Sequence, residues 1–212
     1  MQWRITSAEI TAIKSGKSPY LWFMKIDPKY FNLFAGTVAF FALISIVFFT
    51  IRYADNQRGD FIETVGDGRD LYQTWFFDTS TGDSLRASQF ADKIVVIDFW
   101  ATWSGPSTES HRILHGISDS INSQIVIIAA AVRDDKDSIE EYASAYPYSF
   151  RYVMGTGVFQ ELKVPGVPSQ VVYAPGGRLL DVRVGYKSPE DYTLLRNTIS
   201  DILMGDSIPE IQ

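Results

Sequence analysis

The sequence holds no cysteine among its 212 residues. That absence excludes a disulfide and a thiolate metal site, and it leaves cysteine usage silent about redox compartment. Histidine is nearly as scarce, with His111 and His115 standing alone. Positive charge is sparse beyond the N-terminal quarter. Residues 1–51 carry Arg4, Lys14, Lys17, Lys25 and Lys29 against Glu9 and Asp27, whereas the remainder carries 14 basic and 23 acidic side chains. An acidic globular part argues against nucleic acid as a partner, because phosphate recognition needs a basic face. No internal repeat and no low-complexity run is visible.

What the chain does have is a long uncharged run, Phe31–Ile51, reading FNLFAGTVAFFALISIVFFTI. At about 1.5 Å rise per residue, it reaches roughly 30 Å, the thickness of a bilayer's hydrocarbon core. A signal peptide is the rival reading. It has a shorter apolar core nearer the N-terminus and a small-residue cleavage site, whereas this run ends in bulky Phe48-Phe49-Thr50-Ile51-Arg52. The expectation is an uncleaved single-pass anchor in the cytoplasmic (inner) membrane. The basic excess before it places the N-terminus in the cytoplasm and the rest in the periplasm or an equivalent extracytoplasmic space. Residues 1–30 read as an interfacial segment, with Trp22, Phe23 and Tyr30 at headgroup level. Residues 52–69, polar and dotted with Gly59, Gly66 and Gly68, read as a linker. A folded domain is expected over 70–205 and a short tail over 206–212.

Within the domain, Ile94-Val95-Val96-Ile97 reads as a buried strand that continues through Asp98-Phe99-Trp100. Gly105-Pro106 then opens a helix of about 106–120, with Ile113, Leu114 and Ile117 inward. Other strands are expected at 72–77, 125–132, 150–154 and 170–173, with shorter helices over 137–145 and 158–162. A Pro175-Gly176-Gly177 turn returns the chain as a hairpin through 178–184, and a closing helix covers 189–204. Strands alternating with helices and ending in a hairpin predict an α/β domain with a mixed sheet covered on both faces.

Three stretches carry a resemblance: Val96–Ser107 (VIDFWATWSGPS), Gly166-Val167-Pro168-Ser169, and Tyr173–Leu179 (YAPGGRL). On these the domain resembles the thioredoxin superfamily, and within it the membrane-anchored TlpA/ResA-type proteins, over roughly residues 70–205. The resemblance implies a thioredoxin-like fold and a cis bond before Pro168. It also implies a groove lined by Trp103, Gly105, Pro106, Val167 and Pro168. In the family, Cys-x-x-Cys at the helix start exchanges disulfides; here Ser104 and Ser107 fill both places. A hydroxyl neither attacks as a thiolate nor closes a disulfide, so the domain as written is no thiol oxidoreductase. An acid that the family often carries three residues after the second cysteine is Ser110 here, with Glu109 one place earlier. Asp98 matches the family's buried aspartate. Without a thiol to serve, it reads as a structural acid bonded to water or a hydroxyl.

The serines and histidines admit other readings. Ser104 is placed to cap the helix. A serine hydrolase needs a base at hydrogen-bond reach, and His111 and His115 lie about two and three helical turns along. The i,i+4 histidines could share a metal with Glu109, but a solvated helix face is the simpler reading. No metal or other cofactor is implied. Two functions follow. The first is a redox-inactive binding, structural or assembly subunit. It meets other subunits of a membrane protein complex, and the lipid bilayer, through its span and N-terminal segment, and an extracytoplasmic protein at the groove. The alternative is a TlpA/ResA-type thiol–disulfide oxidoreductase, as in cytochrome c maturation, present in a Cys-to-Ser form.

Overall fold

The computed structural model describes residues 28–66, 71–121, 124–186 and 188–204. Residues 1–27 of the interfacial segment expected over 1–30, residues 67–69 of the expected linker, and the tail over 206–212 lie outside these. The chain divides into two compact units, 1–50 and 51–212.

The first unit holds the start of helix α1, Pro28–Gly66. Its apolar side chains point outward on all sides: Phe40, Phe41, Leu43, Ile46 and Phe49 are all exposed. A helix apolar all round has no amphipathic face to bury and matches a lipid surroundings. By length and composition it is a candidate membrane span, and an apolar leader meets the same criteria.

The second unit begins within α1. The linker expected over 52–69 is helical as far as Gly66. The polar residues that suggested a linker occupy the outer face of this helix, while Phe61 and Val65, four apart, sink into the domain core. The strand expected at 72–77 also shifts. Leu71–Gln73 form a turn, closed by Thr74 N–H donating to the Leu71 carbonyl at 3.2 Å, and strand β1 is Phe76–Asp78. It pairs with the two-residue β2, Ser84–Leu85. A 3-10 turn, Ala87–Phe90, leads to β3, Ile94–Trp100. Then come α2 (Gly105–Ile121), β4 (Ile125–Ala131), α3 (Lys136–Ala145), β5 (Arg151–Met154) and α4 (Thr156–Glu161). The hairpin of β6 (Ser169–Tyr173) and β7 (Leu179–Val184) follows, and α5 (Pro189–Met204) closes the order.

The seven strands form one sheet, ordered β2-β1-β5-β4-β3-β6-β7. The β3–β4 and β4–β5 pairs are parallel; β3–β6, β6–β7, β1–β5 and β1–β2 are antiparallel. β3 lies inside the sheet between β4 and β6, and all seven of its residues are buried. Strand alternation divides them. Ile94, Val96 and Trp100 join a cluster with Leu114, Ile117, Ile139, Tyr142, Leu195 and Ile199, under α2, α3 and α5. Val95, Ile97 and Phe99 join Phe61, Leu71, Phe76, Leu162 and Val164 on the other face. The mixed α/β sheet with helices on both faces is the expected architecture. The hairpin turn also stands where the sequence put it, with Gly176 and Gly177 both at φ +87°. Gly177 has a second reason to lack a side chain, since a Cβ there would meet the Tyr72 ring at 2.5 Å.

Candidate functional site

The site lies at the C-terminal end of β3. The chain leaves Trp100, turns, and enters α2 at Gly105. One clamp holds this turn: Thr102 donates its backbone N–H and its hydroxyl to the Asp134 carboxylate, at 2.8 and 2.7 Å. Parallel pairing of β3 and β4 brings the two segments together, with Val132 N–H donating to the Trp100 carbonyl at 2.9 Å. Asp134 was not anticipated as a site residue; an acid just past a parallel strand beside the turn was the available signal.

Ser104 stands at the N-cap of α2. Its side-chain oxygen accepts weakly from Ser107 N–H at 3.3 Å, and its carbonyl takes bonds from Ser107 and Thr108. Ser107 is fully buried, and its Oγ has no hydrogen-bond partner among the described residues. Trp103 beside them is 61% exposed. Gly105 and Pro106 are exposed, Val167 is half-buried and Pro168 buried. The Val167–Pro168 peptide is cis. Register places Ser169 opposite Phe99, so this peptide lies at the same end of the sheet as the Trp100–Ser104 turn.

Asp98 sits between Val96 and Trp100 on the face of β3 covered by α2. It is fully buried, and so is His111. His111 Nε2 is 2.9 Å from Asp98 Oδ2. The contact is close without the alignment of a straight hydrogen bond, and among the described residues neither carboxylate oxygen has a well-formed hydrogen bond. This corrects one expectation and adds a contact. Asp98 lies against a histidine that was not expected beside it, and His111 lies on the buried face of α2 and not on a solvated one. The reason is helical geometry: Ser107, Ser110, His111, Leu114 and Ile117 follow the i, i+3, i+4, i+7 pattern of one inward stripe. His115, half-buried, lies against Tyr148 with ring centroids 4.5 Å apart. No group of acids and histidines that could hold a metal occurs among the described residues.

The other ring nitrogen, His111 Nδ1, is 3.1 Å from the Tyr142 hydroxyl on α3. Both nitrogens thus face groups other than a serine, and a Ser-His-Asp hydrolase arrangement is not formed. Burial is the main cause that lifts the Tyr142 phenol far above its ordinary range, helped by Tyr152, Tyr148, Tyr146 and Asp98. Tyr152 is raised in the same way, by burial and then by Tyr148 and Asp98. A second polar knot lies nearby. Ser110 Oγ is 2.6 Å from the Tyr192 hydroxyl, and Gln170 Nε2 donates to Ser110 Oγ at 2.7 Å and to the Tyr192 hydroxyl at 2.8 Å. It ties α2, α5 and β6 together without reaching solvent.

Residues 92–179 match the family model described as thioredoxin-like. Thiol-disulfide oxidoreductase ResA of Bacillus subtilis (strain 168) is 25% identical over 126 residues, covering 58% of this chain and 70% of the relative. A DsbE-type thiol:disulfide interchange protein from Chlorobium tepidum superposes with a TM-score of 0.55 at 18% identity, over 63% of this chain and 96% of that one. MTB DsbF superposes with 0.53 at 20% identity, over 61% and 96%. At such identities the superpositions speak for the fold alone. With its serines at 104 and 107, the chain has a thioredoxin-like α/β fold, and its residues 92–179 are similar to the thioredoxin-like family.

Proposed function

We propose that the protein is a redox-inactive thioredoxin-like binding module, anchored by α1 with its domain on the extracytoplasmic side, which serves as a structural or assembly subunit of a membrane protein complex. The observation that carries this reading is the helix start: oxygen stands at both 104 and 107 in a chain without a single sulfhydryl. Such a domain keeps a surface and has no electrons to exchange. The groove of Trp103, Gly105, Pro106, Val167 and Pro168 is its contact surface for an extracytoplasmic protein, with exposed Trp103 as anchor. The span and residues 1–30 meet neighbouring membrane subunits.

Purification of the tagged full chain at native expression in mild detergent, followed by mass spectrometry of co-purifying chains, tests this. A stoichiometric set of membrane subunits is expected, with at least one subunit lost on Trp103→Ala. A free monomer overturns the reading.

A second reading is favoured by Ser107 Oγ, which is buried without a partner where a thiol, a weaker hydrogen-bonding group, would fit at less cost. On that reading the protein is a ResA-type thiol–disulfide oxidoreductase in a Cys-to-Ser form. Cysteine codons at 104 and 107 in the native gene, together with insulin reduction by Ser104→Cys/Ser107→Cys, would establish it.

A further inference from the structure

β7 is the last strand of the sheet, and no further strand covers its outer edge among the described residues. Gly185 donates its N–H inward, to the Pro168 carbonyl at 2.8 Å. Backbone groups alternate in direction along an antiparallel strand, so Val182 and Val184 turn theirs outward. The Val182 N–H meets the neighbouring Asp181 carboxylate. The N–H and C=O of Val184 have no partner among the described residues.

A cavity of about 220 Å³ follows this edge. It is lined by every residue from 181 to 185, by Arg58 of α1, and by Tyr192 and Leu194 of α5. A hollow over one face of a strand touches alternate residues, whereas one along the edge touches them all. The helices agree with an edge position. α1 packs on one face of the sheet through Phe61 and Val65, and α5 packs on the other through Tyr192 and Leu195. A second cavity, of about 340 Å³, adjoins at Arg58, Val184 and Gly185 and reaches Val167.

Arg58 stands where the two cavities meet. It is half-buried and makes no ion pair with any described residue. A guanidinium partly withdrawn from water without a counter-charge calls for a carboxylate. Asp181 is engaged elsewhere, 3.8 Å from Arg183. We propose that this edge is a docking site for one extended acidic segment of a partner protein, which adds as an eighth strand beside β7 and sets a carboxylate against Arg58.

Register fixes where that carboxylate stands. Val182 and Val184 pack toward the α1 face of the sheet. A residue opposite Val184 exchanges both backbone bonds with it and turns its side chain to the same face. The acidic residue therefore belongs to the set whose N–H groups point at β7. Helices on both sides of the edge favour a lone strand, because a second copy of the sheet would bring its own α1 and α5 against these. Docking here needs no contact with Trp103, so the inference goes beyond the groove reading and does not rest on it.

The experiment is selection of a phage-displayed random heptapeptide library on the full chain in detergent, followed by synthesis of the selected peptides. A recurrent acidic residue with β-branched residues two places away is expected. Binding, read by fluorescence anisotropy, weakens by about tenfold in Arg58→Glu, the equivalent of one charge-assisted hydrogen bond. N-methylation of the acidic residue abolishes binding, whereas N-methylation of either neighbour is tolerated. Amide exchange at Val184 slows when the peptide binds. The methylated peptides use the unaltered chain, so they decide even where Arg58→Glu does not fold. Selection of no peptide overturns the proposal, and so does equal tolerance of N-methylation at all three places. Binding that is lost in Trp103→Ala and kept in Arg58→Glu assigns the peptide to the groove and overturns the edge site. A dimer by light scattering that becomes a monomer in Val184→Pro gives the edge to a second copy, and overturns it too.

Discussion

His111 on α2 and Asp98 on β3 lie 2.9 Å apart with neither side chain exposed. Neither position carries the pair alone: strand alternation turns Asp98 toward α2, and the helical stripe turns His111 toward the sheet. Removing one partner strands the other in the core. Asp98→Ala is therefore expected to lower unfolding stability by about 1–3 kcal/mol, the cost of leaving a buried polar group unpaired. Asp98→Ala/His111→Phe is expected to cost less than the two single changes together, because neither Asp98 nor His111 is then left facing a missing partner. Chemical denaturation of the four proteins in a double-mutant cycle measures this.

Two serines three residues apart on α2 make opposite predictions. Ser107 Oγ is buried with no partner among the described residues, whereas Ser110 Oγ joins Gln170 and Tyr192. Ser107→Ala removes an unsatisfied hydroxyl and is expected to be neutral or stabilising by about 1 kcal/mol. Ser110→Ala takes away an acceptor and is expected to cost about 1–3 kcal/mol. Thermal unfolding of the two variants side by side checks the contrast; equal losses would mean that Ser107 has a partner after all.

Much of this architecture was legible in the sequence, and its failures share a cause. β3, α2, β4 and the Pro175-Gly176-Gly177 hairpin were readable because apolar runs, a helix-opening Gly-Pro and turn glycines act locally. Ser104, Trp103 and Pro168 could be placed because one motif fixes each. His111 was misread because a polar residue counts as solvent-facing until its partner is known, and Asp98 lies 13 positions back on another element. The Asp134 clamp on Thr102 was out of reach for the same reason, since its contact spans 32 residues. Residues 52–66 looked like a linker because polar residues outnumber apolar ones there. Phe61 and Val65 acquire a meaning only once a core exists to receive them.

Asp78 makes the β1–β2 turn sensitive to acid. Burial opposes ionisation of its carboxyl, but hydrogen bonds from the Ser80 hydroxyl and from the Thr81 and Ser80 N–H groups prevail and hold its pKa below the ordinary carboxylate value. A depressed folded pKa means that the folded state favours the charged form. Its contribution to stability is present above the unfolded pKa and disappears as pH falls through the folded one. Asp78→Ala is expected to lose stability at neutral pH and to flatten the acid limb of the stability profile. Denaturation midpoints across the acid range, compared with the unaltered protein, test this; parallel profiles would assign the acid limb to other groups.

Phe61 separates a helix that only leads to the domain from one that belongs to it. The residue is fully buried in the cluster of Leu71, Phe76, Val95, Ile97 and Phe99, while its neighbour Ile62 is 39% exposed. Truncating a buried phenylalanine loses the transfer energy of the ring and leaves a cavity behind, so Phe61→Ala is expected to cost about 3–5 kcal/mol. Ile62→Ala keeps the helix, opens no cavity and is expected to stay within about 0.5 kcal/mol. If 52–66 acted as a tether, the two variants would unfold alike. Guanidinium denaturation of the full chain in detergent, followed by tryptophan fluorescence, distinguishes them, because Trp100 lies in the core and reports loss of the domain.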